Sequence, residues 1–360
     1  MKIVSIVGAR PQFVKAATLS RELRGKHTEV LVHTGQHYDD NMSAVFFAEL
    51  GIPAPAYNLG VGSGRHGAQT GAMLAGIEEV LSAERPDWVL VYGDTNSTLA
   101  GALAAAKLHL PVAHVEAGLR SFNRAMPEEV NRVLTDHLSD LLLCPSQTAV
   151  ENLAGEGIRS GVHLVGDVMA DALDHASARA GSRAQVLTRL GLREKGYLVA
   201  TVHRAQNTDD GARLRDILTA LEAAGETVVF PVHPRTRKSM ERIGYRVRPG
   251  SKLRLLDPVG YGDMVALERG ARAILTDSGG MQKEAYWLGV PCLTLRDETE
   301  WPETVQIGWN RLVGTDTGSI VSAVRSLTVP ATRPPLYGDG RAAARCVALL
   351  GGATLRWEAV

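Results

Sequence analysis

Acids, bases and anion-binding side chains recur in this chain just after short apolar runs. Arg10 and Lys15 flank the turn Gly8-Ala9-Arg10-Pro11, which ends the run Lys2–Val7. Asp94 follows Asp87–Tyr92, and Glu116 with Arg120 follows Pro111–Val115. Glu128 stands beside Pro127 at the start of a helical pattern. Further on, His203 and Arg204 end one run, His233 and Arg235 a second, Arg296 a third, and Ser278-Gly279-Gly280 a fourth, with Glu284 one helical turn beyond. Carboxylates near a lysine can carry a proton to and from a substrate. A glycine turn that opens a helix suits a phosphate, because unpaired N–H groups point outward there and glycine lets a ligand approach the backbone. Glu284 could accept hydrogen bonds from ribose hydroxyls. The second half of the chain therefore reads as the holder of an anion, and the first half as the source of acid–base chemistry.

Each residue also has a purely structural use. Ser278 and Asp94 could cap helices, and Glu128 could complement a helix dipole. Arg10 and Lys15 could form a solvated helix face, and His203 and His233 could be ordinary strand-end histidines. Glu116 is harder to explain this way, since no helix follows it. The histidines lack HExxH or any other short spacing, and neither a GxSxG elbow nor a GxxxxGK loop is present, so no metal site, serine hydrolysis or ATP hydrolysis is expected. Gly62-x-Gly64-x-x-Gly67 matches a dinucleotide fingerprint in letters only. Pro53-Ala54-Pro55 and Tyr57-Asn58 precede it, where the fingerprint needs a strand.

Strands alternating with helices must position these residues, and the alternation predicts parallel sheets covered on both faces. Two such series are visible. They give an α/β fold of two Rossmann-like doubly wound domains, residues 1–168 and 169–340, with a final helix in 341–360 packing back on the first. A helical stretch from Asp171 to Leu190 is the candidate connector, and a helix is expected from about Phe13 to Leu23 and another from Asn41 to Leu50. In open parallel sheets ligands bind beyond the carboxyl ends of the strands, where the reactive residues fall.

The 360 residues carry 39 Lys+Arg and 39 Asp+Glu. Such balance argues against general attraction to nucleic acid or membrane, so an anion must be held by a local cluster. The three cysteines, Cys144, Cys292 and Cys346, have no CxxC spacing and suggest a reducing compartment. The opening MKIVSIVGAR is too short for a signal peptide, and a cytoplasmic location is expected.

Several long motifs occur in fixed order: GARPQFVK at Gly8–Lys15, GDTNSTLAG at Gly93–Gly101, HVEAGLRS at His114–Ser121 and MPEEVNR at Met126–Arg132. They continue with VHRAQN at Val202–Asn207, PVHPRTR at Pro231–Arg237, LTDSGGMQKEA at Leu275–Ala285, RDETEWPE at Arg296–Glu303 and YGDG at Tyr337–Gly340. In these the chain resembles the non-hydrolysing UDP-N-acetylglucosamine 2-epimerases, nearly end to end. The resemblance implies the glycosyltransferase-B arrangement with a central cleft, a homodimer, and a UDP-sugar substrate handled without cofactor. It implies catalysis by Lys15, Asp94, Glu116, Glu128 and His203. UDP and substrate would be bound by Arg10, Arg120, His233, Arg235, Ser278, Gly279, Gly280, Glu284 and Arg296. In this family the C2 proton is removed and UDP eliminated, leaving 2-acetamidoglucal; UDP then adds back after the proton returns on the other face.

Three departures qualify the match. Gln206 stands where relatives usually have Glu, and Trp301 where the UDP-N-acetylglucosamine enzymes commonly have Arg. Gln36-His37-Tyr38 replaces the QHR pattern of an allosteric activator site, which leaves Gln36 and His37 as the candidate activator residues. With GARPQF and VGYGDM (Val259–Met264), these variants point to the branch acting on UDP-2,3-diacetamido uronates. A hydrolysing epimerase, a glycosyltransferase of the same architecture and a non-catalytic sugar-nucleotide sensor are the rival classes.

Overall fold

The structure, a computed structural model, describes residues 1–35, 52, 54–179 and 183–352. Gln36, His37 and the expected helix at 41–50 lie outside the described residues, as does the side chain of Arg10. The chain divides into two compact units, Met1–Ala172 with Pro335–Val360, and Leu173–Pro334.

In the first unit the order is β1 (Lys2–Val7), α1 (Arg10–Arg24), β2 (Thr28–His33), β3 (Tyr57–Asn58), α2 (His66–Glu84), β4 (Trp88–Tyr92) and α3 (Asn96–Lys107). Then come β5 (Val112–Val115), α4 (Pro127–Leu138), β6 (Leu141–Cys144), α5 (Gln147–Gly155) and β7 (Val162–Leu164). The seven strands form one sheet in the order β3-β2-β1-β4-β5-β6-β7, each pair parallel. Alternation along the strands separates two cores. Ile3, Val7, Leu90 and Tyr92 pack with Phe13, Leu19 and Leu23 of α1, while Val4, Ile6, Val89 and Val91 pack with Met73 and Ile77 of α2. Each such buried side chain contributes about 1.5–3 kcal/mol.

Helix α6 (Val168–Arg179) leads into the second unit, where α7 (Arg183–Arg189), β8 (Tyr197–Thr201), α8 (Ala205–Thr208), α9 (Gly211–Ala223), β9 (Thr227–Pro231), α10 (Pro234–Arg242) and β10 (Leu253–Leu256) follow. Beyond them lie α11 (Tyr261–Gly270), β11 (Ala273–Thr276), α12 (Gly279–Trp287), β12 (Cys292–Thr294), α13 (Pro302–Gln306), β13 (Asn310–Leu312) and α14 (Thr317–Arg325). These strands form a six-stranded parallel sheet, β10-β9-β8-β11-β12-β13. The last helix, α15 (Ala342–Leu350), belongs to the first unit. Its first amides, of Ala342 and Ala343, donate to the Asp171 carboxylate at 3.1 and 2.8 Å, and Val347 and Leu350 join the α1 core.

Three local expectations change. Tyr57-Asn58 does form a strand, two residues long and paired to β2, where the flanking Ala56 and Leu59 amides donate to the Leu31 and His33 carbonyls at 2.8 Å. The first helix starts at Arg10, with Pro11 in its opening turn, where a missing N–H costs nothing. The connector begins earlier, at Val168, and Arg183–Arg189 is a helix of its own.

Candidate active site

In both sheets the strand order reverses direction at one place, between β1 and β4 and between β8 and β11. A crevice opens at such a switch point beyond the strand ends, which is where open parallel sheets bind ligands. Turns at these strand ends carry Asp94 in the first unit and His203 and Ser278 in the second.

In the first unit the turn after β1 requires glycine. A Cβ on Gly8 would stand 2.1 Å from Ser97 Oγ and 2.3 Å from Thr34 Oγ1. Buried Gln12 fixes the turn by accepting from the Gly8 and Ala9 amides at 2.8 and 3.0 Å and donating to the Tyr92 carbonyl at 2.8 Å, so the β1 and β4 ends are tied together. From the next turn of α1 Lys15 reaches across to Glu116, and the two form a nearly buried ion pair. Glu116 has φ +71°, a left-handed conformation that costs a non-glycine residue about 1–3 kcal/mol. Amides of Glu116 and Ala117 donating to the Leu143 carbonyl, at 3.1 and 3.2 Å, hold it there. Gly93 packs against the pair: its Cβ would lie 3.3 Å from Lys15 Nζ and 3.5 Å from Glu116 Oε2. Asp94 comes next in the chain, so the two carboxylates issue from neighbouring strand ends.

Asp94 does not cap the helix; Thr95 does, accepting from the Thr98 amide at 3.4 Å. Its carboxylate instead pairs with Arg132, and its carbonyl accepts from Asn131 at 3.0 Å. Arg132 also reaches Glu129 at 3.1 Å. Glu129 accepts from the Ser121 amide and hydroxyl and the Phe122 amide, all at 2.9 Å, and burial, outweighed by these bonds and by the Arg132 charge, leaves its carboxyl below the usual range. Helix α4 thus turns a polar face inward (Glu129, Asn131, Arg132, Thr135, Asp136) and leaves Val130 and Leu134 exposed, the reverse of the usual pattern. Glu128, in its first turn, is exposed.

Arg120, an expected ligand for UDP or substrate, faces inward. Its side chain is 1% exposed, and its guanidinium donates to Asp136 at 2.7 Å and to both oxygens of Glu156 at 2.6 and 2.8 Å. Those bonds turn its charge into the protein.

In the second unit the link between switch-point strands is Asp277, fully buried. It accepts from the His203 amide at 3.1 Å, the Arg204 amide at 3.0 Å and Asn207 Nδ2 at 3.1 Å, which fixes the His203 loop against the Ser278 turn. His203 Nδ1 lies 3.4 Å from Asp277 Oδ1. Loss of hydration, with the Arg204 and Arg235 charges, outweighs Asp277 and holds the His203 imidazole below its ordinary range. The His233 ring stands 5.7 Å from it, centroid to centroid.

Ser278 caps α12, its hydroxyl accepting from the Met281 amide at 3.4 Å, so capping and ligand binding draw on the same turn. Beside that turn, a Cβ on Gly279 would lie 3.4 Å from Glu300 Oε2, 3.4 Å from Trp301 Nε1 and 3.6 Å from Arg204 Nη2. Glu284 is buried except for its edge and accepts from the Tyr261 hydroxyl at 3.1 Å. Arg296 is buried in a two-bond pair with Glu300, at 2.8 and 3.0 Å, and Arg235 is tied to Asp209 at 2.7 Å. Trp301 forms a platform for buried Lys283, whose ammonium stands 4.0 Å from its ring centroid. Among the described residues no group of three or more His, Cys, Asp or Glu is placed to hold a metal ion.

Sequence reasoning missed Gln12, Glu129, Arg132, Tyr261 and Asp277. Asp277 and Glu129 had a signal, since each adjoins a residue already singled out.

Two doubly wound units, one ending in paired acids and a lysine and the other in a glycine-opened helix beside a buried glutamate, are the features of an enzyme acting on a nucleotide-linked substrate. The family model described as UDP-N-acetylglucosamine 2-epimerase matches residues 21–351. A UDP-N-acetylglucosamine 2-epimerase homolog of Methanococcus maripaludis is 53% identical over 97% of this chain and 99% of its own length. The UDP-2,3-diacetamido-2,3-dideoxy-D-glucuronate 2-epimerase of Pseudomonas aeruginosa is 49% identical over 96% of this chain and 98% of its own. Among solved structures, the Methanocaldococcus jannaschii UDP-GlcNAc 2-epimerase, crystallised with UDP-GlcNAc and UDP, superposes with a TM-score of 0.87 at 42% identity, covering 98% of this chain and all of that one. The chain belongs to the UDP-N-acetylglucosamine 2-epimerase family.

Proposed function

We propose that the protein inverts C2 of a UDP-2-acetamido sugar without hydrolysing it. The observation that carries this reading is the Lys15–Glu116 pair packed on the Gly93–Asp94 turn at a sheet switch point, in a member of this family. A carboxylate removes the C2 proton, and the electron pair left on carbon forms the C1–C2 double bond as the C1–O bond breaks and UDP leaves. In the return step the proton adds to the opposite face of C2 and UDP re-forms the C1–O bond. Base and acid must therefore address two faces, a task for Asp94, Glu116 and Glu128. Lys15 balances the charge of Glu116. The α12 N-terminus at Ser278–Gly280 receives the diphosphate, flanked by His203 and His233. Glu284 accepts from the ribose. This route draws on no cofactor and no metal.

Two sugars compete. The family name favours UDP-N-acetylglucosamine; the 49% identity to the Pseudomonas enzyme favours the diacetamido uronate. Turnover of both in heavy water tests the reading. Product carrying deuterium at C2, lost together with turnover in Asp94→Asn, Glu116→Gln and Glu128→Gln while UDP still binds, is expected. Retention of the original hydrogen, or free N-acetylmannosamine as product, would overturn it. The same reading includes a cytoplasmic homodimer. Exposed Phe122, Val130 and Leu134 support the dimer, and sedimentation at the mass of a monomer would refute it.

A further inference from the structure

The ends of β4 and β5 lead into separate loops, one carrying Asp94 and the other Glu116. Behind them runs a continuous set of hydrogen bonds. His114, fully buried on β5, points Nε2 at the Gly93 carbonyl, 2.7 Å away. A carbonyl only accepts, so that nitrogen carries a proton. Nδ1 of the same ring meets Asp136 Oδ1 at 2.7 Å. The other oxygen, Oδ2, accepts from the Gly118 amide at 3.1 Å and Arg120 Nη1 at 2.7 Å. Gly118 can be nothing else: its φ is +79°, and a Cβ would stand 2.3 Å from the Ala149 carbonyl oxygen. One carboxylate therefore grips the residue before Asp94, through His114, and the residue two after Glu116 directly.

We propose that Asp136, acting through His114, is a positioning residue that sets the spacing between the Asp94 and Glu116 carboxylates. The proposal rests on the epimerase reading above. Its energetics favour geometry over stability as the reason for the network. Burial by itself would push the Asp136 carboxyl up, but the His114 hydrogen bond and the His114 and Arg120 charges outweigh it and hold it low. Glu156 anchors Arg120 from the far side, His137 lies 4.0 Å from Glu156, and the buried Cys144 thiol is pushed up beside Asp136. Buried ionic networks of this kind contribute little more stability than apolar side chains of the same volume. What they add is fixed direction. A shift of about 1 Å in a reacting group costs about 100-fold in rate.

The test compares wild type with Asp136→Asn, which puts a donor where His114 or Gly118 needs an acceptor, and His114→Gln, which keeps a donor for Gly93 but breaks the link to Asp136. Both should fold, bind UDP and show KM within about twofold of wild type, while kcat and deuterium uptake at C2 fall together by about 100-fold. Wild-type kcat in either folded variant overturns the proposal. So does equal loss of UDP affinity and kcat, or failure of both variants to fold, since each would show a role in stability alone. An inert wild-type enzyme on both UDP-sugars would instead sink the epimerase reading.

Discussion

Replacing Glu268 by methionine should stabilise the second unit, and increasingly so as pH rises. Glu268 lies on α11, fully buried, and neither carboxyl oxygen has a hydrogen-bond partner among the described residues. Burial, and then the negative charge of Glu284, push its carboxyl well above the usual range. Tyr261, seven residues earlier on the same helix stripe, donates to Glu284, which places this acid beside the proposed ribose site. In the unfolded chain the proton leaves near 4.5, whereas the folded protein keeps it. Between those two values the folded state binds more protons, so stability falls as pH rises, by at most about 1.4 kcal/mol per pH unit, and levels off once the folded carboxyl itself titrates. Methionine fills a similar volume with no polar atom. Near pH 5 the gain should be about 1–3 kcal/mol, the cost of leaving a buried polar group unpaired. For a unit of this size that raises the melting temperature by about 2–4 °C per kcal/mol. Thermal unfolding of both proteins from about pH 5 to about pH 8 measures it, with Glu284→Gln as a second arm that should flatten the wild-type slope. A methionine variant that melts lower, or a difference that does not change with pH, would refute the reasoning.

Glu284→Ala should weaken UDP binding by about 1.5–3 kcal/mol in calorimetry, the value of hydrogen bonds to a charged acceptor. Arg120→Met should lower stability by about 3–5 kcal/mol in denaturant titration, because Asp136 and Glu156 lose their common partner. Its UDP affinity should stay at the wild-type value, and a loss there would restore Arg120 to the ligand.

Within each unit, legibility followed the range of the interaction. The apolar runs of β4 and β11 are readable because strand burial depends on a few consecutive side chains. The Ser278-Gly279-Gly280 turn is readable because helix starts and glycine turns are local chemistry. Helix α4 shows the limit. Its Pro127 start was legible, but its inward face is the polar one, and periodicity carries no label for which stripe meets the protein.

Arg120 and Arg296 show the same limit for charge. Both stand at strand ends, where the sequence reads them as ligands for an anion. The fold supplies Asp136, Glu156 and Glu300 as partners, and a guanidinium already bonded on two or three sides is a strut. The reverse holds for Asp277 and Asp136, whose importance lies in contacts with His203 and His114, residues distant along the chain. Element types, the α/β class, the family and the strand ends that bear reactive groups are legible along the chain, because propensity, period and motif order are properties of neighbouring residues. Which of those groups face outward and which are consumed in holding the others emerges from folding, because a hydrogen bond is committed by distance in space.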